Sequence, residues 1–194
     1  MFIHRAHGPF KSRGVSLIEV IIFIVIVGTA VAGILSVLNV NAQHSWDPAV
    51  RKQMLAIAES LLEEVELMPF TYCDPDDTNV LTASSTAGCA LAGNIEGTTA
   101  TSGETRFNAA TPYDNVGDYG GATGTLTISS ITDVTNAAIP GLSGYSATVN
   151  VAPSTLGSIV TAGEVLQINV SVTSPRGDSL ALTGYRTRYA PNAP

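Results

Sequence analysis

A single carboxylate, Glu19, lies at the edge of a long apolar stretch in the segment KSRGVSLIEVIIFIVIVGTAVAGILSVLNV, residues 11–40. No charged residue occurs from Val20 to Leu38, and these nineteen positions would form a helix about 28 Å long, close to the hydrocarbon thickness of a bilayer. The stretch therefore predicts a membrane-spanning helix. A carboxylate within or beside hydrocarbon costs on the order of 2.5 to 3.5 kcal/mol, so Glu19 predicts a function and a partner for its charge.

The charges that flank the apolar stretch predict its orientation. Basic residues precede it (Arg5, Lys11 and Arg13), and Asp47 follows it. The positive-inside rule then leaves the N-terminus in the cytoplasm and places everything after Trp46 outside. An ordinary cleaved signal peptide has a shorter apolar core, about 7 to 15 residues, and a small-residue cleavage site that is not found here. On apolar length alone, a plain signal anchor remains an alternative.

Residues 11–19, KSRGVSLIE, resemble the class III signal of type IV pilins and of the pseudopilins of type II secretion. The resemblance rests on a basic leader, a glycine, a spaced glutamate and an apolar helix, which all occur together. It implies that residues 1–14 are a leader, which a prepilin peptidase removes by cutting between Gly14 and Val15. It also implies N-methylation of Val15, which stands where phenylalanine is commonest in the family.

The same resemblance implies a role for Glu19 in assembly. Cleavage after Gly14 would make Glu19 the fifth residue of the mature chain and free an ammonium at Val15, one helical turn away. In the family, this glutamate is thought to pair with the N-terminus of an adjacent subunit, which removes the penalty of an isolated charge. The implied partners are the prepilin peptidase, other pilin subunits, the assembly platform in the inner membrane and, before assembly, the membrane itself.

Three further segments narrow the resemblance: DPAVRKQMLAIAESLLEEVELMPF, CDPDD and the ending LTGYRTRYAP. Together they are similar to minor pilins of the MshD type, from the mannose-sensitive haemagglutinin pilus. The implied function is a structural subunit that is held in the bacterial inner membrane with its globular part in the periplasm. It is then assembled into a pilus fibre at the cell surface, or primes one. The alternatives are a type II secretion pseudopilin and a membrane-tethered adhesin or binding module.

The periodicity of the remaining chain predicts an α+β fold. Residues 15–46 are predicted to form the hydrophobic helix and a polar joint that begins at Asn39. Residues 47–72 are predicted to form an amphipathic helix with an apolar stripe at spacings of three and four. Residues 73–124 are rich in loops. From residue 125 to 194 the period changes to two, which predicts four antiparallel strands packed on the helix, as in the pilin plan. The apolar positions of these strands are Leu126, Ile128 and Ile131; Tyr145, Ala147, Val149 and Val151; Leu166, Ile168, Val170 and Val172; and Leu180 and Leu182, leading to Tyr185.

Two other groups of side chains could do chemistry. Cys73 and Cys89 are the only cysteines, and in an exported chain they predict a disulfide rather than a redox or metal site. The carboxylates of Asp74, Asp76 and Asp77 could hold calcium, because hard cations prefer clustered oxygen ligands. However, Asp-Pro-Asp-Asp is also ordinary turn chemistry, and the residues needed to complete an EF-hand loop are missing. We therefore predict no metal and no cofactor.

The residue types of the mature chain argue against catalysis and against nucleic-acid binding. After removal of the leader, His44 at the membrane edge is the sole histidine, so a Ser-His-Asp triad is not expected. No pair of carboxylates is marked by its spacing as catalytic. Six basic residues then remain against 16 acidic ones, whereas nonspecific DNA binding relies on Lys and Arg at phosphates. The sequence predicts neither an enzyme nor a nucleic-acid partner.

Overall fold

The computed structural model describes residues 14–44, 47–101 and 103–194. The basic leader residues and Trp46, on which the predictions about topology depend, lie outside these ranges. Two compact units divide the chain at residue 48, and each is described by itself. The first contains one long helix. The second contains a four-stranded sheet with most of a second helix.

Helix α1 (Leu17–His44) carries one charged residue, Glu19, and is otherwise apolar along the segment Leu17–Leu38. Its amide hydrogen bonds begin at Ser16, whose carbonyl accepts from the amides of Glu19 and Val20. The segment Leu17–Leu38 is long and apolar enough to cross a membrane, and none of it is buried within the chain. The helix continues to His44, although a polar joint was predicted from residue 39. The polar residues at its end include neither glycine nor proline, so nothing in them breaks a helix.

Helix α2 (Asp47–Glu66) is amphipathic, as predicted, but it ends six residues before the end of the predicted segment 47–72. The buried side chains repeat at spacings of three and four, which places them on one face: Met54, Ile57, Ala58, Leu61 and Val65. The helix ends three residues before Pro69, since proline cannot continue it. Its buried face supplies the helical side of the hydrophobic core.

The sheet is an antiparallel meander in the order β1-β2-β3-β4. Its strands are β1 (Thr125–Ile128), β2 (Ser146–Pro153), β3 (Val165–Thr173) and β4 (Ser179–Thr187). The predicted strand positions lie in these four elements, except that Ile131 follows β1 and Tyr145 precedes β2. The α+β fold, with strands paired in sequence order, is therefore confirmed.

One face of the sheet forms the core with α2. The apolar residues of β2 and β3 face each other in register, as in the pairs Val149–Val170 and Val151–Ile168, and all four are buried. Helix α2 approaches β4 closely at Gly184. A Cβ added at this position would collide with the side chain of Glu66. Along the chain, a buried 3₁₀ helix (Val116–Gly120) follows the disulfide loop and precedes β1. This region was predicted to be rich in loops. This short helix carries part of the candidate site.

Candidate functional site

The residues of the implied processing signal lie at the start of α1. Gly14 and Val15 precede the helix and are exposed, and Glu19 lies in its first turn, also exposed. The described part of the chain contains two ion pairs, Arg106–Glu64 and Arg188–Glu164, so Glu19 has no ionic partner among the described residues. Cleavage at Gly14 and methylation of Val15 remain predictions.

The predicted disulfide is present. Cys73 and Cys89 are bonded, with their Cα atoms 5.5 Å apart. The loop that they close is organised around Asp77, whose carboxylate accepts hydrogen bonds from the amides of Asn79, Ala90 and Leu91 at 2.8, 3.0 and 3.3 Å. The bond from the Ala90 amide contributes most to lowering the pKa of Asp77. Asp77 is therefore an acceptor that holds the loop together.

The three aspartates that were considered as calcium ligands do not act as one group. Asp76 is exposed, and Asp77 is occupied by loop amides. Asp74 is buried and belongs to a different set, because its carboxylate oxygen lies within 4.8 Å of one oxygen each from Glu104 and Asp114. The other contacts of Asp74 fix its orientation. Its Oδ1 accepts from the Asp76 amide at 2.6 Å, and its Oδ2 accepts from the Thr101 hydroxyl at 2.9 Å.

Three irregular segments bring further carboxylates to Asp74. Next to the disulfide, Cys73 forms an isolated antiparallel bridge with Ile95, and the Glu96 amide donates to the Tyr72 carbonyl at 3.1 Å. Glu96 is thereby held beside the strand-like residues 72–74. Glu104 follows in the turn segment 103–111, and Asp114 lies immediately before the cap of the 116–120 helix.

Asp118 is fixed by the cap of the 116–120 helix. Its Oδ2 accepts from the amides of Asp114 and Asn115 at 3.1 and 2.7 Å, while the Asn115 side chain accepts from the Gly117 amide, which completes a capping box. The helix also packs tightly on residues 96–98. A Cβ added to Gly120 would collide with the Thr98 carbonyl, so this close approach requires glycine.

We refer to Asp74, Glu96, Glu104, Asp114 and Asp118 as the acidic cluster. The side chains of Glu96 and Asp118 are almost fully enclosed, at 2% and 0% exposed, and Asp74 is 5% exposed. Several buried oxygens accept no hydrogen bond in the described chain: both of Glu96, Oε2 of Glu104, Oδ1 of Asp114 and Oδ1 of Asp118.

Burial and mutual repulsion raise the pKa values in the acidic cluster. Burial is the largest cause for Asp114, whose pKa is raised to about 7, and the charges of Asp74 and Glu104 add to it. Burial followed by the charge of a neighbouring carboxylate also raises the pKa of Glu96 and of Asp118. The cluster is thus a place where negative charge is unfavourable unless something positive accompanies it.

Glu64 is a half-buried carboxylate on α2, and its hydrogen-bonding and ionic partners belong to the same chain. Its Oε1 accepts from Arg106 Nε and from the Tyr119 hydroxyl, both at 2.8 Å, and Arg106 forms an ion pair with its Oε2. Burial alone would raise the pKa of Glu64, but the hydrogen bonds from Arg106 and Tyr119 lower it below its ordinary value. The ion pairs of the described residues do not extend to the acidic cluster.

No protein-family model, curated protein or solved structure matches the chain. The arrangement must therefore be interpreted from its own chemistry. The acidic cluster offers oxygen ligands alone, which suit a hard cation. Sequence reasoning missed it because its members are spread over residues 74–118 with no motif spacing. The clue that the sequence does carry is the recurrence of acidic residues through the successive loops of residues 73–124.

Proposed function

We propose that this protein is a minor type IV pilin, a structural subunit that a prepilin peptidase cuts between Gly14 and Val15. Before assembly, α1 is held in the inner membrane and the second unit lies in the periplasm. The subunit then enters or primes a pilus fibre. The observation that carries the proposal is Glu19, which lies in the first turn of an otherwise uncharged 22-residue apolar span, five residues after Gly14 of the resembled signal.

The exposure of α1 supports this function. A helix that is apolar on every side needs an apolar cover, and nothing in the described chain buries the span Leu17–Leu38. A bilayer provides that cover before assembly, and the α1 helices of neighbouring subunits provide it in a fibre. In both surroundings the charge of Glu19 is unfavourable unless it is paired.

The N-terminus of a neighbouring subunit is the partner that fits Glu19. Cleavage converts the Gly14–Val15 bond into a free ammonium on Val15, at the same end of the helix as the carboxylate. The helix dipole also favours a negative side chain in its first turn, so the carboxylate lies at the helix end where the new ammonium forms. One processing event would thus create the positive group that Glu19 needs.

The second unit is compatible with an exported subunit. Cys73 and Cys89 form a disulfide, and such bonds persist in oxidising compartments such as the periplasm. The unit has its own core between α2 and the sheet. This supports a folded periplasmic part that follows a membrane anchor.

Glu19→Gln tests the proposal, because it keeps the shape of the side chain and removes its charge. The variant and the unmodified protein are expressed equally, and the amount in sheared pili is compared with the amount in the membrane fraction. We expect unchanged insertion, and incorporation lowered by about fivefold or more, which corresponds to a loss of about 1 kcal/mol.

Glu63→Gln, an exposed charge removal on α2, is the matched control and should leave incorporation unchanged. A Gly14 variant that blocks cleavage should remain in the membrane. If Glu19→Gln and the blocked variant both enter fibres as well as the unmodified protein, the proposed function is wrong.

A further inference from the structure

The acidic cluster leads to an inference that does not depend on the pilin proposal. We propose that it is a calcium site, in which Asp74, Glu104 and Asp114 supply carboxylate oxygens and the buried carboxylates of Asp118 and Glu96 add negative charge beside them. The site joins the disulfide loop, the 103–111 turn and the segment that begins the 116–120 helix. Its effect is to stabilise the irregular half of the second unit.

The spacing of the oxygens fits one ion. Oxygens of Asp74, Glu104 and Asp114 lie within 4.8 Å of one another. Calcium binds oxygen at about 2.3 to 2.6 Å, so two ligands on opposite sides of the same ion are separated by about 5 Å or less. The three carboxylates are therefore close enough to contact a single cation.

The unpaired buried oxygens are an independent indication of a ligand. Asp118 is fully buried, and while its Oδ2 accepts two amides, its Oδ1 has no donor in the described chain. Glu96 is 2% exposed, and neither of its oxygens has a donor. A buried polar atom without a partner costs about 1 to 3 kcal/mol, and more when it is charged. A cation bound among the carboxylates would compensate for this cost.

The remaining contacts orient the ligands. Asp74 accepts from an amide and a hydroxyl, which fix its carboxylate beside those of Glu104 and Asp114. Such bonds to the outer side of a ligand hold it towards the metal. Glu104 and Asp114 are half-buried, so solvent and an ion can reach the site.

The donor set favours calcium over other metals. Zinc prefers sulfur and imidazole nitrogen, and the carboxylates of the acidic cluster offer oxygen only. Magnesium demands near-ideal octahedral geometry and keeps much of its water, whereas calcium accepts six to eight oxygens in irregular arrangements. Ligands from several loops at unequal sequence spacings match the calcium pattern.

The test uses the full chain in detergent, treated with chelator and then titrated with CaCl₂ by calorimetry and in thermal unfolding. We expect one calcium per chain and a rise in Tm of about 5 °C or more at saturation. Glu104→Gln and Asp114→Asn should each weaken binding by about tenfold or more. The matched control, Asp76→Asn, removes an exposed charge from the same loop as Asp74 and should change the affinity by less than about threefold.

The variants also separate loss of a ligand from loss of folding. In chelator, Glu104→Gln removes repulsion from the acidic cluster, so its Tm should equal or exceed that of the unmodified chain, and the order should reverse with calcium present. The proposal is overturned if CaCl₂ causes neither heat nor a rise in Tm. It is also overturned if the cluster variants bind as well as the unmodified chain, if Asp76→Asn loses as much affinity as they do, or if MgCl₂ at equal concentration has the same effect.

Discussion

Helix α1 and the acidic cluster both carry negative charge that finds no ion pair within the described residues, but their surroundings differ. Glu19 lies in an exposed helical span, Leu17–Leu38, that is otherwise uncharged and apolar, so a partner for it can come from another chain. Asp118 and Glu96 are enclosed by their own fold, where only a small ion or a proton can reach them. The space around each carboxylate therefore determines how large its positively charged partner can be.

Glu64 shows how the same fold treats a carboxylate whose partner is internal. Arg106 and Tyr119 donate to it at hydrogen-bonding distances, and its pKa lies below the ordinary value. The acidic cluster has the opposite pattern, with raised pKa values and unpaired oxygens. Two carboxylate environments within one unit therefore predict opposite responses to pH and to mutation.

The largest difference is expected in the response of the calcium-free chain to pH. A carboxyl whose pKa is raised by folding stabilises the fold below its unfolded pKa of about 4, and this contribution is lost as pH rises through the folded value. The pKa of Asp114 is raised to about 7, and those of Glu96 and Asp118 are also raised. Between pH 4 and pH 8, we expect a fall in unfolding free energy of about 2 kcal/mol or more.

Thermal unfolding of the chelator-treated chain across this pH range measures the fall in unfolding free energy. Saturating calcium should remove most of that fall. Calcium keeps the carboxylates ionised in the folded state, so they no longer gain protons on folding. Stability that rises with pH in chelator would contradict the contrast between Glu64 and the acidic cluster.

A smaller loss is expected from Arg106→Ala, which leaves Glu64 without its cation. The loss of the charged hydrogen bonds should lower the unfolding free energy by about 1 to 3 kcal/mol, with or without calcium. Denaturant unfolding measures it, with Arg51→Ala, an exposed arginine on α2, as the control. If Arg106→Ala costs nothing, Glu64 does not need its internal partner and the comparison with the acidic cluster fails.

The regular half of the second unit could be predicted from the sequence, because periodicity reports burial directly. Alternation of apolar residues such as Val149 and Val151 marked β2, and the stripe from Met54 to Val65 marked the buried face of α2. The Cys73–Cys89 bond followed from there being only two cysteines. The periodic signals are local in the sequence, and two cysteines can form only one disulfide within a chain.

The acidic cluster could not be predicted in the same way, because irregular segments carry no period. Asp74 was grouped with Asp76 and Asp77 by sequence proximity, but hydrogen bonds to loop amides hold Asp77, and Asp74 meets Glu104 and Asp114 instead. That meeting depends on the disulfide, on the bridge to Ile95 and on the cap of the 116–120 helix. All three are tertiary features.

The central claim about α1 is that it begins as a processed prepilin signal, and the mass of the mature chain tests this most directly. The full chain is expressed in cells with an active prepilin peptidase and in matched cells that lack it, and the purified proteins are measured by intact-mass spectrometry. We expect the chain from peptidase-competent cells to begin at Val15 with the added mass of one methyl group, and the chain from the deficient cells to retain residues 1–14. A chain that keeps its first fourteen residues in competent cells would contradict the account and favour a membrane-tethered binding protein.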